Sequence, residues 1–352
     1  MPKAKSAFIH IGVRKTGTSS IQFVLDGLAQ LGRLPGIAAP SLGGSGQARL
    51  PAAYQTVDRL PRALRAVVGS DPESYRRNLH AAWLDAIRKP SALAVSCEFL
   101  ALFSDAEAAA FHRDLVEAGY ENIHCLVYVR EPPGLYLADV QQRLRASASF
   151  RPPGEFRTHY KEQIERWRAV CKGGISVRLF HPDALLGGDV VNDFLAQMAA
   201  FFGIERPGAR YKRQNQSISV EGLILLQNYR RYLHPKADHV FMPDSNRLVD
   251  LIATIEPTLT RRVTRPRLRD GVARLVCEGA AGDIAYLSQE YGIDVGIDAH
   301  RAAGPGAGPY ADVAAIVDSY DPIALDELSV RLLGSLLGSA PVFPHEPRGG
   351  RT

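Results

Sequence analysis

The residues best suited to chemistry lie near the start of the chain, in Phe8-Ile9-His10-Ile11-Gly12-Val13-Arg14-Lys15-Thr16-Gly17-Thr18-Ser19-Ser20-Ile21-Gln22. Two glycines, two adjacent cations and a run of small hydroxyl residues separate an apolar stretch from the start of helical periodicity. That composition suits an anion cradle. Glycine lets the backbone approach an anion closely, because no Cβ intervenes. The first N–H groups of a following helix lack intrahelical partners and can point at the same anion. Lys15 and Arg14 add positive charge, Gly17 adds backbone freedom, and Thr16, Thr18, Ser19 and Ser20 carry hydroxyl donors. The bland alternative is a glycine turn between strand and helix with a solvated lysine. Two further stretches carry candidate groups: Ser96-Cys97-Glu98, with a carboxylate for proton transfer, and Val129-Arg130-Glu131-Pro132, with a guanidinium suited to bidentate phosphate contacts. His10 is a second candidate base, although a position inside a strand favours a hydrogen-bonded core histidine.

The elements that must position these residues follow from the pattern of the chain. Residues 7–12 read as a short buried strand. The helix after the loop, from Thr18, carries Ile21, Val24, Leu25, Leu28 and Leu31 on one side and ends near Gly32 and Pro35. Residues 36–50 are rich in Gly, Ser, Ala and Pro and read as a loop, either a plain surface one or a border of an acceptor site. Asp71-Pro72-Glu73 opens a helix that stops at Pro90. A strand at 92–96 leads to Glu98, and Ser104-Asp105-Ala106-Glu107 is a capping box. The strand at 123–129 is β-branched and aromatic and ends at Arg130. Helices are expected from there to about 145 and over 156–170, then a strand at 175–180 and a helix at 189–202. Alternating strands and helices predict a mostly parallel sheet flanked by helices. Ligands of such sheets bind beyond the carboxyl ends of the strands, where Lys15, Glu98 and Arg130 all fall.

From Ser219 onward the pattern is helical, with segments near 219–233, 248–255 and 271–291 and a last helix near 323–337. Arg261, Arg262, Arg265, Arg267 and Arg269 form a basic run that fits an acidic acceptor, lipid headgroups or a solvated face. Residues 300–312 read as a linker, and 341–352 as a frayed tail. The expected organisation is an α/β domain over 1–210, a helical extension over 211–299 packing on it, and a linker, short helix and tail over 300–352.

Composition bounds the function. The 352 residues carry a net charge of +5, compatible with anionic ligands but too weak and dispersed to argue for nucleic acid. Four scattered cysteines form no metal-ligand or disulfide pattern, which points to a reducing, cytoplasmic setting and to no metal site. No apolar run approaches the ~18 residues of a membrane span, so any membrane contact is expected to be peripheral.

The loop order excludes the nucleotide-triphosphate pattern G-x-x-x-x-G-K followed by Ser or Thr, because Lys15 precedes Gly17 by two residues. The order Lys15-Thr16-Gly17-Thr18-Ser19 instead resembles the loop with which sulfotransferases bind the 5′-phosphosulfate of 3′-phosphoadenosine 5′-phosphosulfate (PAPS). The chain is similar to a bacterial branch of that family in further positions. These are Ser96-Cys97-Glu98, Arg130 after its strand, Tyr160 and Trp167 on a helix, Val177-Arg178-Leu179-Phe180, Gly187-Gly188-Asp189 with Asp193-Phe194-Leu195, and Asn215-Gln216-Ser217-Ile218-Ser219. The likeness covers about residues 7–233 and, more loosely, the helices to 292, and only the first loop and Arg130 are specific motifs.

The resemblance implies a P-loop-like α/β fold and PAPS as donor, with adenosine 3′,5′-bisphosphate (PAP) as product. It implies Lys15 at the leaving oxygen, Arg130 on the 3′-phosphate, and a glutamate base of the carbohydrate-sulfotransferase kind, here Glu98. Glu98 as a structural partner of Lys15 or Arg130 is the alternative. The acceptor expected from class is a hydroxyl of a carbohydrate or glycolipid. One departure stands out: the family's serine eight residues after the arginine is Ala138 here, with Gln141, Gln142 and Arg143 as candidate replacements. Two rival readings remain at this point. An ATP-dependent kinase-like enzyme would use Glu98 or Asp139 as a magnesium ligand. A non-catalytic nucleotide-binding or interaction module would explain Ala138.

Overall fold

A computed structural model of the chain describes residues 4–43, 46–171, 173–209, 211, 218–295 and 310–338. In chain order it shows β1 (Lys5–Ile11), α1 (Thr18–Gln30), α2 (Arg62–Arg65), α3 (Pro72–Arg88), β2 (Ala92–Cys97), α4 (Asp105–Glu117) and β3 (Tyr120–Val129). There follow α5 (Pro132–Leu144), α6 (Tyr160–Val170), β4 (Ile175–Leu179) and α7 (Val190–Phe202). The remaining helices are α8 (Val220–Leu233), α9 (Pro243–Ile255), α10 (Asp270–Gly279), α11 (Ala281–Tyr291), α12 (Val313–Ile316) and α13 (Pro322–Leu336). Two compact units result. The first is Met1–Pro132, Thr158–Gln214 and Ala280–Gly296, and the second is Pro133–Arg157, Asn215–Gly279 and Ile297–Thr352.

The first unit is built on a parallel sheet of order β2-β1-β3-β4. It is the expected α/β arrangement of a parallel sheet flanked by helices. Ile9 lies opposite Val95 on one side and Cys125 on the other, and Val127 opposite Val177. Successive side chains of a strand point to opposite faces. Phe8, Ala94, Leu126 and Tyr128 therefore share one face, where they pack with Ile21, Leu25 and Leu28 of α1 and Phe194, Leu195 and Met198 of α7. The alternate set, with Ile9, Val95, Cys125 and Val127 wholly or almost wholly buried, needs a second layer. That layer is α4 and α6, whose Phe111 and Trp167 lie edge to face at 5.7 Å between ring centroids. Burial on both faces explains why these strands read as near-continuous apolar runs.

Local signals account for several boundaries. Asp71 accepts from the Ser74 N–H at 3.0 Å, with Pro72 opening α3. Ser104 and Glu107 complete the expected capping box of α4. The structure also departs from the expected boundaries. β3 starts at Tyr120, three residues early, because that phenol is buried and donates to the Ile87 and Pro90 carbonyls at 3.1 Å. Ala38, inside the expected loop, bridges to Leu93 through hydrogen bonds of 2.9 and 2.8 Å and covers the β2 edge. α6 begins at Tyr160 rather than near 156, because His159 takes a left-handed backbone with φ 60°. The helix expected over 271–291 breaks at Ala280 (φ −109°, ψ 8°).

The second unit is helical, with α8 packed on α9, α12 and α13. Arg230 is wholly buried and donates to the Ala146 carbonyl at 2.7 Å and to Ser245 Oγ at 3.1 Å. The basic run is partly spent within this unit. Arg261 pairs with Asp321 at 3.2 Å, Arg267 with Asp270 at 3.5 Å, and Arg269 donates to the Val317 carbonyl at 2.7 Å. Asn215, Gln216 and Ser217 of the family-like stretch, most of the expected linker and the tail lie outside the described residues. Among the described residues no helix is long and apolar enough to cross a membrane.

Candidate active site

The sheet order places a switch point between β1 and β3. The chain leaves β1 for β2 on one side and returns to β3 on the other. At such points the carboxyl ends of neighbouring strands diverge into a crevice. The loop after β1 and Arg130 after β3 occupy its two sides, and Arg130 Nη1 reaches the Lys15 carbonyl at 3.4 Å.

The loop is shaped by close backbone approaches. Gly12 donates its N–H to the Cys97 carbonyl at 3.0 Å, and a Cβ there would lie 2.5 Å from the Glu98 Cα. Only glycine lets the β1 and β2 ends meet this closely. Gly17 precedes α1 with φ 81°, and a Cβ there would fall 2.6 Å from Val190 Cγ1 and 3.2 Å from the Phe180 ring. Lys15 holds φ 63°, a conformation non-glycine residues seldom adopt and one that concentrates at ligand sites. No side chain caps α1, and its first turn holds no acidic residue. The Ser20 and Ile21 N–H groups donate to the Gly17 carbonyl at 3.0 and 3.2 Å, so the Thr18 and Ser19 amides carry the positive end of the helix dipole without a side-chain cap, an arrangement that favours negative charge.

The hydroxyls divide in a way the sequence did not indicate. Thr16 is wholly buried and donates to the Val13 carbonyl at 2.7 Å, and Thr18 Oγ1 lies 3.4 Å from the same oxygen. Both brace the loop from inside, since a buried hydroxyl must find a partner. Both hydroxyls are thereby engaged within the loop. Ser19 is exposed and Ser20 half-buried.

Glu98 follows β2 directly and is half-buried. Burial pushes its carboxyl above the ordinary value, while the nearby charges of Lys15 and Arg14 pull it back down. Its strand end is clamped two residues earlier. Ser96 N–H donates to Gln47 Oε1 at 2.9 Å, and Gln22 Nε2 donates to the Ser96 carbonyl at 2.9 Å. His10 also serves this clamp, with Nδ1 2.8 Å from Ser96 Oγ. The expectation of His10 as a second base meets a clear obstacle. It is wholly buried between the rings of Tyr128 and Phe194, and burial lowers its pKa to about 3. Its parity in β1 is that of Phe8, so it faces the core and stays neutral.

Arg130 is held loosely at its tip. Its Nε lies 3.7 Å from Glu131 Oε1, and its guanidinium sits 5.7 Å from the Phe180 ring centre. The backbone of Arg130 is bound at both N–H and carbonyl by the Tyr160 hydroxyl. In the second unit, Ala138 lies on α5, and the candidate replacement Arg143 donates Nε to Asp139 at 2.8 Å, so those two groups engage each other.

Other family-like positions prove structural. Arg178 grips buried Asp193 through two hydrogen bonds of 2.6 and 2.7 Å, and Tyr128 donates to the same carboxylate at 2.7 Å. Trp167 donates to the Leu100 carbonyl at 3.2 Å. Sequence reasoning missed Gln22, Gln47 and the contacts of Phe180. Gln47 had no signal, because its segment has no periodicity. Gln22 showed only as a polar position on a helix. All four cysteines are free and buried. Among the described residues no group of three or more His, Cys, Asp or Glu side chains is placed to hold a metal ion.

No protein-family profile matches this chain, and no curated protein is significantly similar to it. Among solved structures, a sulfotransferase from Alicyclobacillus acidocaldarius is 18% identical, with 71% of this chain and 96% of that one covered and a TM-score of 0.39. A superposition this loose carries no argument, and the functional reading rests on the chain's own geometry.

Proposed function

We propose that this protein transfers a sulfuryl group from PAPS to a hydroxyl of a carbohydrate or glycolipid acceptor by in-line displacement. One observation carries the reading. The ends of three adjacent strands carry an uncapped, left-handed lysine loop, with a half-buried carboxylate on one side of it and a loosely held arginine on the other. The four buried free thiols favour a reducing, cytoplasmic setting. The donor chemistry in this reading belongs to the α/β portion, residues 1–210.

The residues present fit a 5′-phosphosulfate. In this reading the backbone amides of the loop and of Thr18 and Ser19 at the start of α1 receive the anion, the Ser20 N–H being taken by the Gly17 carbonyl at 3.0 Å, and Arg14, Lys15 and the Ser19 and Ser20 hydroxyls supply further donors. The donor brings an activated sulfuryl group and a phosphate leaving group. The chain's residues do the rest. Glu98 takes the proton of the acceptor hydroxyl as that oxygen bonds to sulfur. Lys15 and the helix amides neutralise charge that grows on the departing phosphate oxygen, the electrostatic stabilisation that typically dominates such transfers. Arg130 fixes the far end of the nucleotide through its 3′-phosphate, which aligns the transfer.

Glu98 suits the base better than His10, because it borders the loop and its carboxyl is raised toward working pH. The kinase-like rival gains no support from the loop, whose lysine remains two residues before Gly17. Transfer of labelled sulfate from PAPS to a panel of glycans and glycolipids tests the proposal. Lys15→Ala should abolish transfer; unchanged turnover in that variant contradicts the assignment of the loop.

A further inference from the structure

We propose that Tyr160 is a positioning residue for Arg130, and that Asp283 on α11 sets it in place. The inference rests on the reading of Arg130 as the 3′-phosphate ligand. Arg130 is the first residue past β3, where the ladder ends: the Phe180 N–H takes the Val129 carbonyl at 2.7 Å. The next N–H and carbonyl both belong to Arg130, and a single phenol satisfies both. The Arg130 N–H donates to the Tyr160 hydroxyl at 3.1 Å, and that hydroxyl donates to the Arg130 carbonyl at 2.8 Å. The hydroxyl thus does what a neighbouring strand would do, and it fixes the plane from which the arginine side chain leaves.

The rest of Arg130 is restrained weakly. Its nearest polar contacts are the Lys15 carbonyl at 3.4 Å and Glu131 at 3.7 Å, and its side chain is about a quarter exposed (27%). A guanidinium with a fixed root and a lightly held tip is prepared to take a bidentate ligand. Tyr160 itself is almost completely buried, and burial holds its phenol protonated well above ordinary pH, so it remains a donor.

Tyr160 opens α6, and α6 lacks a cap of its own: His159 makes no side-chain cap hydrogen bond. The carboxylate of Asp283 substitutes for it. It accepts from the Tyr160 N–H at 3.0 Å, from the Lys161 N–H at 2.9 Å and from the Thr158 hydroxyl. Three segments of the first unit, at 130, 158–161 and 283, form one chain of hydrogen bonds ending at the proposed phosphate ligand. The tyrosine of the family-like Tyr160/Trp167 helix thereby acquires a reason to be tyrosine rather than phenylalanine.

Calorimetric affinities of the full chain for PAP and for 5′-AMP, which lacks the 3′-phosphate, test the inference. The wild type should prefer PAP. Tyr160→Phe should cut that preference about tenfold, the scale of one charge-assisted hydrogen bond, with AMP affinity held within about twofold. Asp283→Asn should cut it about threefold, through the loss of one cap acceptor. A lowered melting temperature with an unchanged PAP-to-AMP ratio in both variants means that Tyr160 is merely structural, and overturns the proposal. If Tyr160→Phe does not fold, the ratio in Asp283→Asn decides alone. A wild type that binds PAP no better than AMP removes the 3′-phosphate reading of Arg130 itself, before either variant is consulted.

Discussion

Glu98→Gln separates a catalytic base from a structural ion-pair partner with almost no change of shape. If Glu98 takes the acceptor proton, the amide cannot replace it, and turnover should fall by about 10²–10⁴, the usual share of general-base catalysis. That corresponds to about 3–5 kcal/mol in barrier height, at about 1.4 kcal/mol per tenfold. Stability should move the other way. Burial raises the folded carboxyl above its unfolded value despite the pull of Lys15 and Arg14. A group raised in this way favours folding when protonated. Its stabilisation is complete below the unfolded pKa and is lost as pH rises through the folded pKa. The glutamine variant lacks this titration, so it should melt at the wild-type temperature in acid and above it near neutrality. In the wild type, the acidic limb of kcat/KM should sit above the ordinary carboxylate range. The reasoning is refuted by a variant that keeps near-normal turnover, or by one that melts well below wild type at neutral pH. The second result would mark Glu98 as an ion-pair partner of Lys15 and Arg14.

Three other outcomes follow from the same geometry. Gly12→Ala places a Cβ 2.5 Å from the Glu98 Cα and 2.6 Å from Thr18 Cγ2, so both strand ends must move; activity should fall at least tenfold, as judged by initial rates, and wild-type rates would contradict the close approach. Arg14→Gln removes one of the two charges that lower the Glu98 pKa, so the acidic limb should shift to higher pH; a shift to lower pH would reverse the assigned sign. Asp193→Ala leaves Arg178 and the Tyr128 hydroxyl without their shared acceptor and should cost about 3–5 kcal/mol in chemical denaturation; a loss under about 1 kcal/mol would show that the network is dispensable.

The parts of the site that were legible in the sequence share a cause. Lys15, Glu98 and Arg130 each follow a short apolar run, and a parallel sheet gathers the ends of such runs at one edge. Helix starts at Asp71 and Ser104 were equally open, because capping is local chemistry. The direction of side chains within the loop was not. Thr16 and Thr18 look like phosphate donors by type, yet the left-handed turn at Lys15 and the depth of the loop send their hydroxyls to the Val13 carbonyl. The place of His10 inside a strand pointed to a hydrogen-bonded core histidine, and its wholly buried ring on Ser96 is that state. Beside the break at Ala280, Gly279 packs so closely that a Cβ there would meet the Phe156 carbonyl at 2.5 Å, a contact no window of sequence encodes. Tyr160 stands in the sequence as one position of a family-like pattern, but its bond to Arg130 spans 30 residues and leaves no local trace.

The most direct test of the central claim is calorimetric titration of the purified chain with PAP, and in parallel with ATP and magnesium. The account predicts saturable PAP binding without metal, at least tenfold tighter than ATP with magnesium. Binding of ATP with magnesium, and none of PAP, would contradict it and move the chain to nucleotide-triphosphate chemistry.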